Sequence, residues 1–167
     1  MLKKNLLYFI LVTFVFALDR LTKFLIIKYS ETLGELNISI TSFMNFNLIW
    51  NDGIAFGLLS FEDRFFYNVI SIIIALITLI IIWLAIKSQG IEKISFLMIV
   101  GGSSGNLFDR IYYSSVPDFI DININNFHWF IFNVADIFIT IGVFLLIILE
   151  FIKKKNIMKK FILLLIV

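Results

Sequence analysis

Long apolar blocks dominate the chain, where a helix of a soluble protein would show only an apolar stripe. Four blocks stand out, at about 6–27, 65–86, 94–111 and 127–152. About 20 residues of helix cross the ~30 Å hydrocarbon core of a bilayer, so each block predicts a membrane-spanning helix, with some tilt. The segments between them are patterned too. Leu36-Asn-Ile-Ser-Ile-Thr alternates apolar with polar positions, as does Asp118-Phe-Ile-Asp-Ile-Asn-Ile-Asn, the period-2 signature of half-exposed strands. Phe43 to Trp50 is rich in aromatics and runs into the turn signal Asn51-Asp-Gly. The expected fold is an all-α membrane protein, four transmembrane helices with a small outward-facing β platform and loops. Residues 1–155 form its single domain and 156–167 a tail.

The basic residues orient this arrangement. Lys3 and Lys4 precede the first block, Lys87 and Lys93 flank the turn between the second and third, and Lys153, Lys154, Lys155, Lys159 and Lys160 follow the fourth. The other side holds only Lys28, Arg64 and Arg110. Cytoplasmic loops carry the excess of Lys and Arg, which puts both termini in the cytoplasm and the strands outside. The tail from Met158 has only seven apolar residues after Lys160, too few to span.

Composition narrows the chemistry. Hydrophobic residues make up 60% of the 167, too many for a soluble domain of this size. There is no Cys, so thiol catalysis and thiolate metal sites are excluded, and the lone His128 cannot build the usual multi-His zinc site. No cofactor is implied. Nothing suggests nucleic-acid recognition, because the basic residues read as topology markers.

Against this background the polar residues inside the blocks stand out. An ionisable side chain at mid-bilayer costs roughly 2.5–3.5 kcal/mol on insertion scales, so each needs a reason. Asp19, Arg20 and Lys23 fall in the last third of the first block, Asp109 and Arg110 end the third, and Asn133 and Asp136 lie near the start of the fourth. The orientation brings all of them to one depth, toward the outer face. Asp19 and Lys23 are four residues apart on one helix face and can be a structural ion pair, as can the adjacent Asp109 and Arg110. Asp136 has no cation among its neighbours, and Asn133 can only hydrogen-bond to it. A carboxylate so placed shifts its proton affinity by desolvation or shares a proton with a second carboxylate. Asp118, beyond Pro117, is the nearest available mate. Two facing carboxylates holding one proton can hydrolyse an amide without metal or covalent intermediate.

Other readings remain open at this point. Gly102-Ser103-Ser104-Gly105 matches the Gly-x-Ser-Gly of intramembrane serine peptidases, with His128 as the nominal base, although small residues here more simply allow close helix packing. His128 and Trp129 then sit at the interface end of the fourth helix. A small proton-coupled transporter relaying through Asp19 and Asp136 would need a polar path in the inner half, where ionisable groups are scarce. A non-catalytic scaffold leaves Asp136 unexplained.

Five motifs in order resemble those of the bacterial lipoprotein signal peptidases (signal peptidase II), from the first helix to the fourth. Asp19-Arg-Leu-Thr-Lys23 is similar to the family's Asp-Gln-x-Thr-Lys, with Arg20 where Gln is common. Asn51-Asp-Gly-Ile-Ala-Phe-Gly57 resembles its Asn-x-Gly-x-Ala-Phe, and Gly101-Gly-Ser-Ser-Gly-Asn-Leu-Phe-Asp-Arg110 its Gly-Gly-x-x-Gly-Asn-x-x-Asp-Arg. Val116-Pro-Asp118-Phe and Phe132-Asn-Val-Ala-Asp136 resemble the segments that carry the family's two catalytic Asp. The resemblance implies an aspartic endopeptidase of the bacterial inner membrane. Its substrate is a prolipoprotein whose Cys already carries diacylglycerol, cut just before that Cys. Asp118 and Asp136 are then the catalytic dyad. Asn51, Gly53, Asn106, Asp109, Arg110 and Asn133 bind substrate or support the dyad, and Asp19 and Lys23 brace the first helix. Globomycin-type inhibitors are expected to occupy the site, and the enzyme to act as a monomer in the lipid bilayer.

Overall fold

The computed structural model describes residues 2–34, 37–53, 64–124 and 127–166. Among them run α1 (Leu2–Leu33), β1 (Asn37–Thr41), β2 (Met44–Asn51), α2 (Arg64–Lys87), α3 (Gly90–Tyr113), β3 (Val116–Ile124), β4 (Phe127–Phe132) and α4 (Val134–Ile166). The molecule is thus mostly helical with one small sheet. Branched aliphatic residues, chiefly Ile and Leu, fill α2, and its 24 residues reach about 36 Å at the usual helical rise. That helix and the Val134–Lys155 part of α4 are long and apolar enough to cross a membrane.

The distribution of side chains is inverted relative to a protein in water. Ile72, Leu76, Leu79, Ile80 and Trp83 of α2 and Phe144, Ile147 and Phe151 of α4 are exposed, whereas Asp19, Lys23, Asp109 and Asn133 are buried. Water would expel the first group and hydrate the second. A hydrocarbon surround reverses both preferences, and buried charges then face the bundle interior.

Helix α3 packs against each of the other three helices. Its glycines set the spacing. A β-carbon on Gly102 would stand 2.6 Å from the Ala135 carbonyl oxygen of α4, and one on Gly105 would stand 2.5 Å from Asp19 Oδ2 of α1. Small residues therefore let three backbones converge where the charges lie, as the packing reading of Gly102–Gly105 expects. Ser103 meanwhile donates its hydroxyl to the Val100 carbonyl at 3.2 Å. Ser114, with φ 59, turns the chain out of α3 in the left-handed conformation that commonly ends helices.

The strands form one antiparallel sheet in the order β1-β2-β3-β4. The chain leaves it after β2, runs through α2 and α3, and returns as β3. Pairing of Asn51 with Val116 and of Ile49 with Asp118 closes that excursion and sets Asn51 beside Asp118. The alternating segments 37–41 and 118–124 are strands as expected, and the aromatic-rich 44–51, not assigned from its pattern, is a third that includes Asn51; Leu36 and residues 54–57 of the Asn51-Gly57 motif lie outside the described residues.

The fourth apolar block is different from its expectation. Residues 127–132 are strand β4, paired with β3 through Ile120 with Phe132 and Ile122 with Phe130, and the helix begins only at Val134. His128 therefore belongs to a strand opposite Asn123 rather than to a helix end. A short continuous apolar run fits either a strand or a helix, so periodicity alone merges the two. Helix α1 extends to Leu33, beyond its apolar block, and α4 runs on to Ile166 through the division expected at 155.

Candidate active site

The start of α4 builds the centre of the site. Asn133 is its N-cap: the side-chain Oδ1 accepts from the Asp136 backbone N–H at 3.1 Å, and the Asp136 carboxylate accepts from the Asn133 backbone N–H at 3.1 Å. This is a reciprocal capping box, which satisfies two helix-terminal donors at once. It also fixes the Asn133 amide, because a backbone N–H can meet only its oxygen. The amide nitrogen then points away from the helix and donates to Asp118 Oδ1 at 2.6 Å. One asparagine thus bonds both carboxylates.

Each remaining oxygen of the pair also meets an amide. Asn51 donates to Asp118 Oδ2 at 2.8 Å, its own orientation set by the Gly53 N–H that bonds Asn51 Oδ1 at 2.9 Å. Asn106 donates to Asp136 Oδ1 at 2.8 Å. Burial, followed by the charge of Asp136, pushes the Asp118 carboxyl up to about 6, against the lowering effect of its amide donors. A proton on this pair is therefore within reach near neutral pH.

Behind Asp136 lies a cluster of charges. Lys23 bonds Asp109 Oδ2 at 2.6 Å, Asn106 Oδ1 at 2.8 Å and Asp19 Oδ2 at 3.0 Å. Asp19 Oδ1 accepts from the Ala135 backbone N–H at 3.0 Å, which ties α1 to the first turn of α4. Arg20 pairs with both Asp109 and Asp19. The i,i+4 pair expected for Asp19 and Lys23 is present, but Arg110 turns elsewhere. It donates to the Gly53 carbonyl at 2.8 Å, pinning the chain beyond β2, while Tyr67 of α2 donates to the Arg110 carbonyl at 3.3 Å.

Asp136 lines two cavities. One of about 160 Å³ is bounded by Asn51, Ile74, Ser103, Asn106, Arg110, Val116 and Ile139. The other, about 340 Å³ and nearly all apolar, runs along Phe130, Phe132, Ile137, Thr140 and Ile141. Both are mainly apolar, and the smaller one carries Asn51, Asn106 and Arg110 beside Asp136 on its wall. Among the described residues no group of three or more His, Asp or Glu is placed to hold a metal ion.

The structure brings together the residues that the resemblance implied: Asp118, Asp136, Asn51, Gly53, Asn106, Arg110, Asn133, Asp19, Lys23 and Asp109. Sequence reasoning missed the inclusion of Arg20 in the ion cluster, the Tyr67 support of Arg110 and the complete burial of Asp121 on β3. It also missed that Asn133 caps α4, for which Asn-x-x-Asp before an apolar run was a usable signal.

The family model described as Signal peptidase (SPase) II matches residues 11–152. The chain belongs to the signal peptidase II family. A lipoprotein signal peptidase of Pelagibacter ubique (strain HTCC1062) is 50% identical over 149 residues, covering 89% of this chain and 90% of that one. A lipoprotein signal peptidase of Francisella tularensis subsp. mediasiatica (strain FSC147) is 42% identical over 160 residues, covering 93% and 98%. A solved structure titled a bacterial membrane enzyme, determined by the in meso method at 2.3 Å, superposes with TM-score 0.73 at 30% identity, covering 89% of this chain and 90% of that chain. The chain is accordingly a peptidase of lipoprotein processing, and its family supports removal of signal peptides from prolipoproteins.

Proposed function

We propose that this chain hydrolyses the peptide bond just before the diacylglyceryl-modified Cys of a prolipoprotein, with Asp118 and Asp136 as the catalytic dyad. The observation that carries this reading is the single residue, Asn133, hydrogen-bonded to both carboxylates beside two cavities. The pair titrates as a unit holding one proton. The ionised member takes a proton from water, whose oxygen attacks the scissile carbonyl, while the other donates its proton to the carbonyl oxygen. The tetrahedral centre then collapses, the nitrogen takes a proton and the new amine departs. No metal or covalent intermediate is required. Asn51, Asn106 and Asn133 hold the carboxylates, Arg110 holds the Gly53 segment at the mouth of the site, and Asp19, Lys23 and Asp109 tie α1 and α3 behind it.

The four helices in this reading all span the bacterial inner membrane, with both termini cytoplasmic and the sheet at the outer face. The basic residues at 3–4, 87–93 and 153–160 support that orientation. Acyl chains on the substrate Cys stay in the bilayer, so a scissile bond near the outer interface matches the depth of the polar cluster. Residues 1–155 suffice for the reaction, by a monomer, and the stretch 156–167 lies outside the peptidase domain.

The test is a gel-shift cleavage assay on a diacylglyceryl prolipoprotein in micelles. The native chain is expected to convert it, and globomycin to stop conversion. Full conversion by Asp118→Asn or by Asp136→Asn would sink the dyad.

A further inference from the structure

The larger of the two cavities at Asp136 is a groove with a direction. From α4 come Asp136, Ile137, Thr140 and Ile141, which fall on one helix face and extend about 7.5 Å from first to last at the usual rise. From β4 come Phe130 and Phe132, two residues apart and so on one side of the strand. The register fixes which side. Phe132 stands opposite Ile120 and Phe130 opposite Ile122, and both partners share the face of β3 that carries Asp118. The groove is therefore continuous with both carboxylates.

Phe130, Ile137 and Ile141 are exposed, so the groove is open sideways along its length. In the proposed orientation that side is hydrocarbon, and the groove descends from the sheet at the outer face toward the middle of the bilayer. Its volume is about 340 Å³. Three parts of a prolipoprotein compete for it. A signal-peptide helix, about 10–12 Å across with side chains, fills roughly 700 Å³ over the same length, about twice what is there. An extended peptide brings N–H and C=O groups against walls whose only polar side chains are those of Asp136 and Thr140, and hydrocarbon does not tolerate unpaired backbone groups. An acyl chain is thinner than a helix and has no polar group to satisfy.

We propose that this groove is an acyl-chain subsite, which takes one of the two fatty chains of the diacylglyceryl group while the modified Cys sits at the dyad. The tether is short. Only the Cα, Cβ and sulfur of that Cys separate the scissile nitrogen from the glyceryl carbons, so the chain starts beside Asp136. It also hangs inward from the outer interface, the direction in which the groove runs. Lipid tails are as apolar as the groove, so passage from bilayer to groove adds no hydrophobic gain. The groove instead fixes the direction of the chain and thereby orients the Cys against the carboxylates, a benefit that falls in kcat rather than in KM. The inference rests on Asp118 and Asp136 being the dyad for a diacylglyceryl substrate.

The experiment measures kcat and KM in micelles on one prolipoprotein whose Cys carries diacylglycerol with acyl chains graded from acetyl to palmitoyl. In the native chain kcat is expected to rise with chain length and to level off once the groove is full. Ile141, the lining residue furthest along α4 from Asp136, is the place to shorten it. Ile141→Trp is expected to level off at a shorter chain, with kcat on the palmitoyl substrate about 10-fold below native, KM within about twofold, and the acetyl substrate cleaved as by the native chain. Ile141→Ala lengthens the groove and is expected to move the plateau to a longer chain. A native kcat independent of chain length, or one length dependence shared by the native chain and both variants, overturns the proposal. So does an Ile141→Trp variant that changes the preference for peptide residues before the Cys in place of chain length, since the groove is then a side-chain pocket. Should Ile141→Trp fail to fold, the plateau of Ile141→Ala decides alone. Full activity of Asp118→Asn would instead overturn the dyad, so the two failures are distinguishable.

Discussion

Helix α3 carries an acid near each end, and the two meet their lysines at similar distances in different surroundings. Glu92 in its first turn accepts from Lys153 at 2.8 Å, with side chains 35% and 53% exposed. Asp109 in its last turns accepts from Lys23 at 2.6 Å, with side chains 0% and 1% exposed. Distance alone ranks the two pairs together. At the exposed end the ions lose little by separating, because solvent takes over each charge. At the buried end neither ion has an alternative, so each depends on the other and on the hydrogen bonds around them. The same chemistry thus trims an exposed helix end in one place and holds helices together beside Asp118 and Asp136 in the other.

The largest effects belong to the buried end. Asp118→Asn and Asp136→Asn are each expected to abolish prolipoprotein cleavage in the gel-shift assay, a loss of at least about 10²–10⁴-fold, with the protein still inserted and folded. Asn133→Ala removes the side-chain cap of α4 and the donor to Asp118 together. It is expected to cost about 1 kcal/mol from the cap, read by thermal unfolding, alongside a fall in cleavage far larger than that figure implies. Lys23→Met leaves Asp19 and Asp109 with Arg20 alone, and a destabilisation of about 3–5 kcal/mol is expected. A loss near zero would place the cluster in contact with water.

Proton linkage separates the two ends next. The Asp118 carboxyl goes from 3.8 to about 6 on folding, so its ionisation costs stability from the lower value upward, the full cost being reached above the higher one. Asp118→Asn removes this cost. The variant is expected to melt higher than the native chain near neutral pH and to lose that advantage once the medium is acid enough to protonate the carboxyl in both states. At the exposed end Lys153→Ala is expected to leave both the melting temperature and cleavage unchanged. A change as large as that of Lys23→Met would erase the contrast between the ends.

Much of this was readable before the fold was known, but unevenly. Asp19 and Lys23 are four residues apart, and a helical period brings them together without tertiary information. Asp109 reaches Lys23 from 86 residues away, and nothing local marks Asp109 as the partner of Arg20 rather than of the adjacent Arg110. Strands β1 and β3 showed themselves by alternation, whereas the segment that forms β2 was marked only by its aromatic content. Strand β4 did not, since its run of apolar residues continues into α4 and the border is one asparagine. Asn106 came from the likeness of its motif, because an amide within a helix carries no distinguishing pattern until the carboxylate it faces is placed.

The chain is made from its N-terminus, and that order gives the Asp19–Arg20–Lys23 grouping another role. Asp109 is added to the polypeptide long after α1, so in the proposed topology the first helix enters the membrane without it. In the finished fold Asp19 contacts both Arg20 and Lys23, and all three lie within one helix. The grouping of Asp19, Arg20 and Lys23 alone keeps one positive charge, which Asp109 of α3 later meets. A helix made in reverse order, with Asp109 first, would have Arg110 beside it but no lysine, and would leave Asp19 to arrive last. The sequence of manufacture and the final wiring therefore agree, and a swap of Asp19 with Lys23 would keep every charge while breaking that agreement.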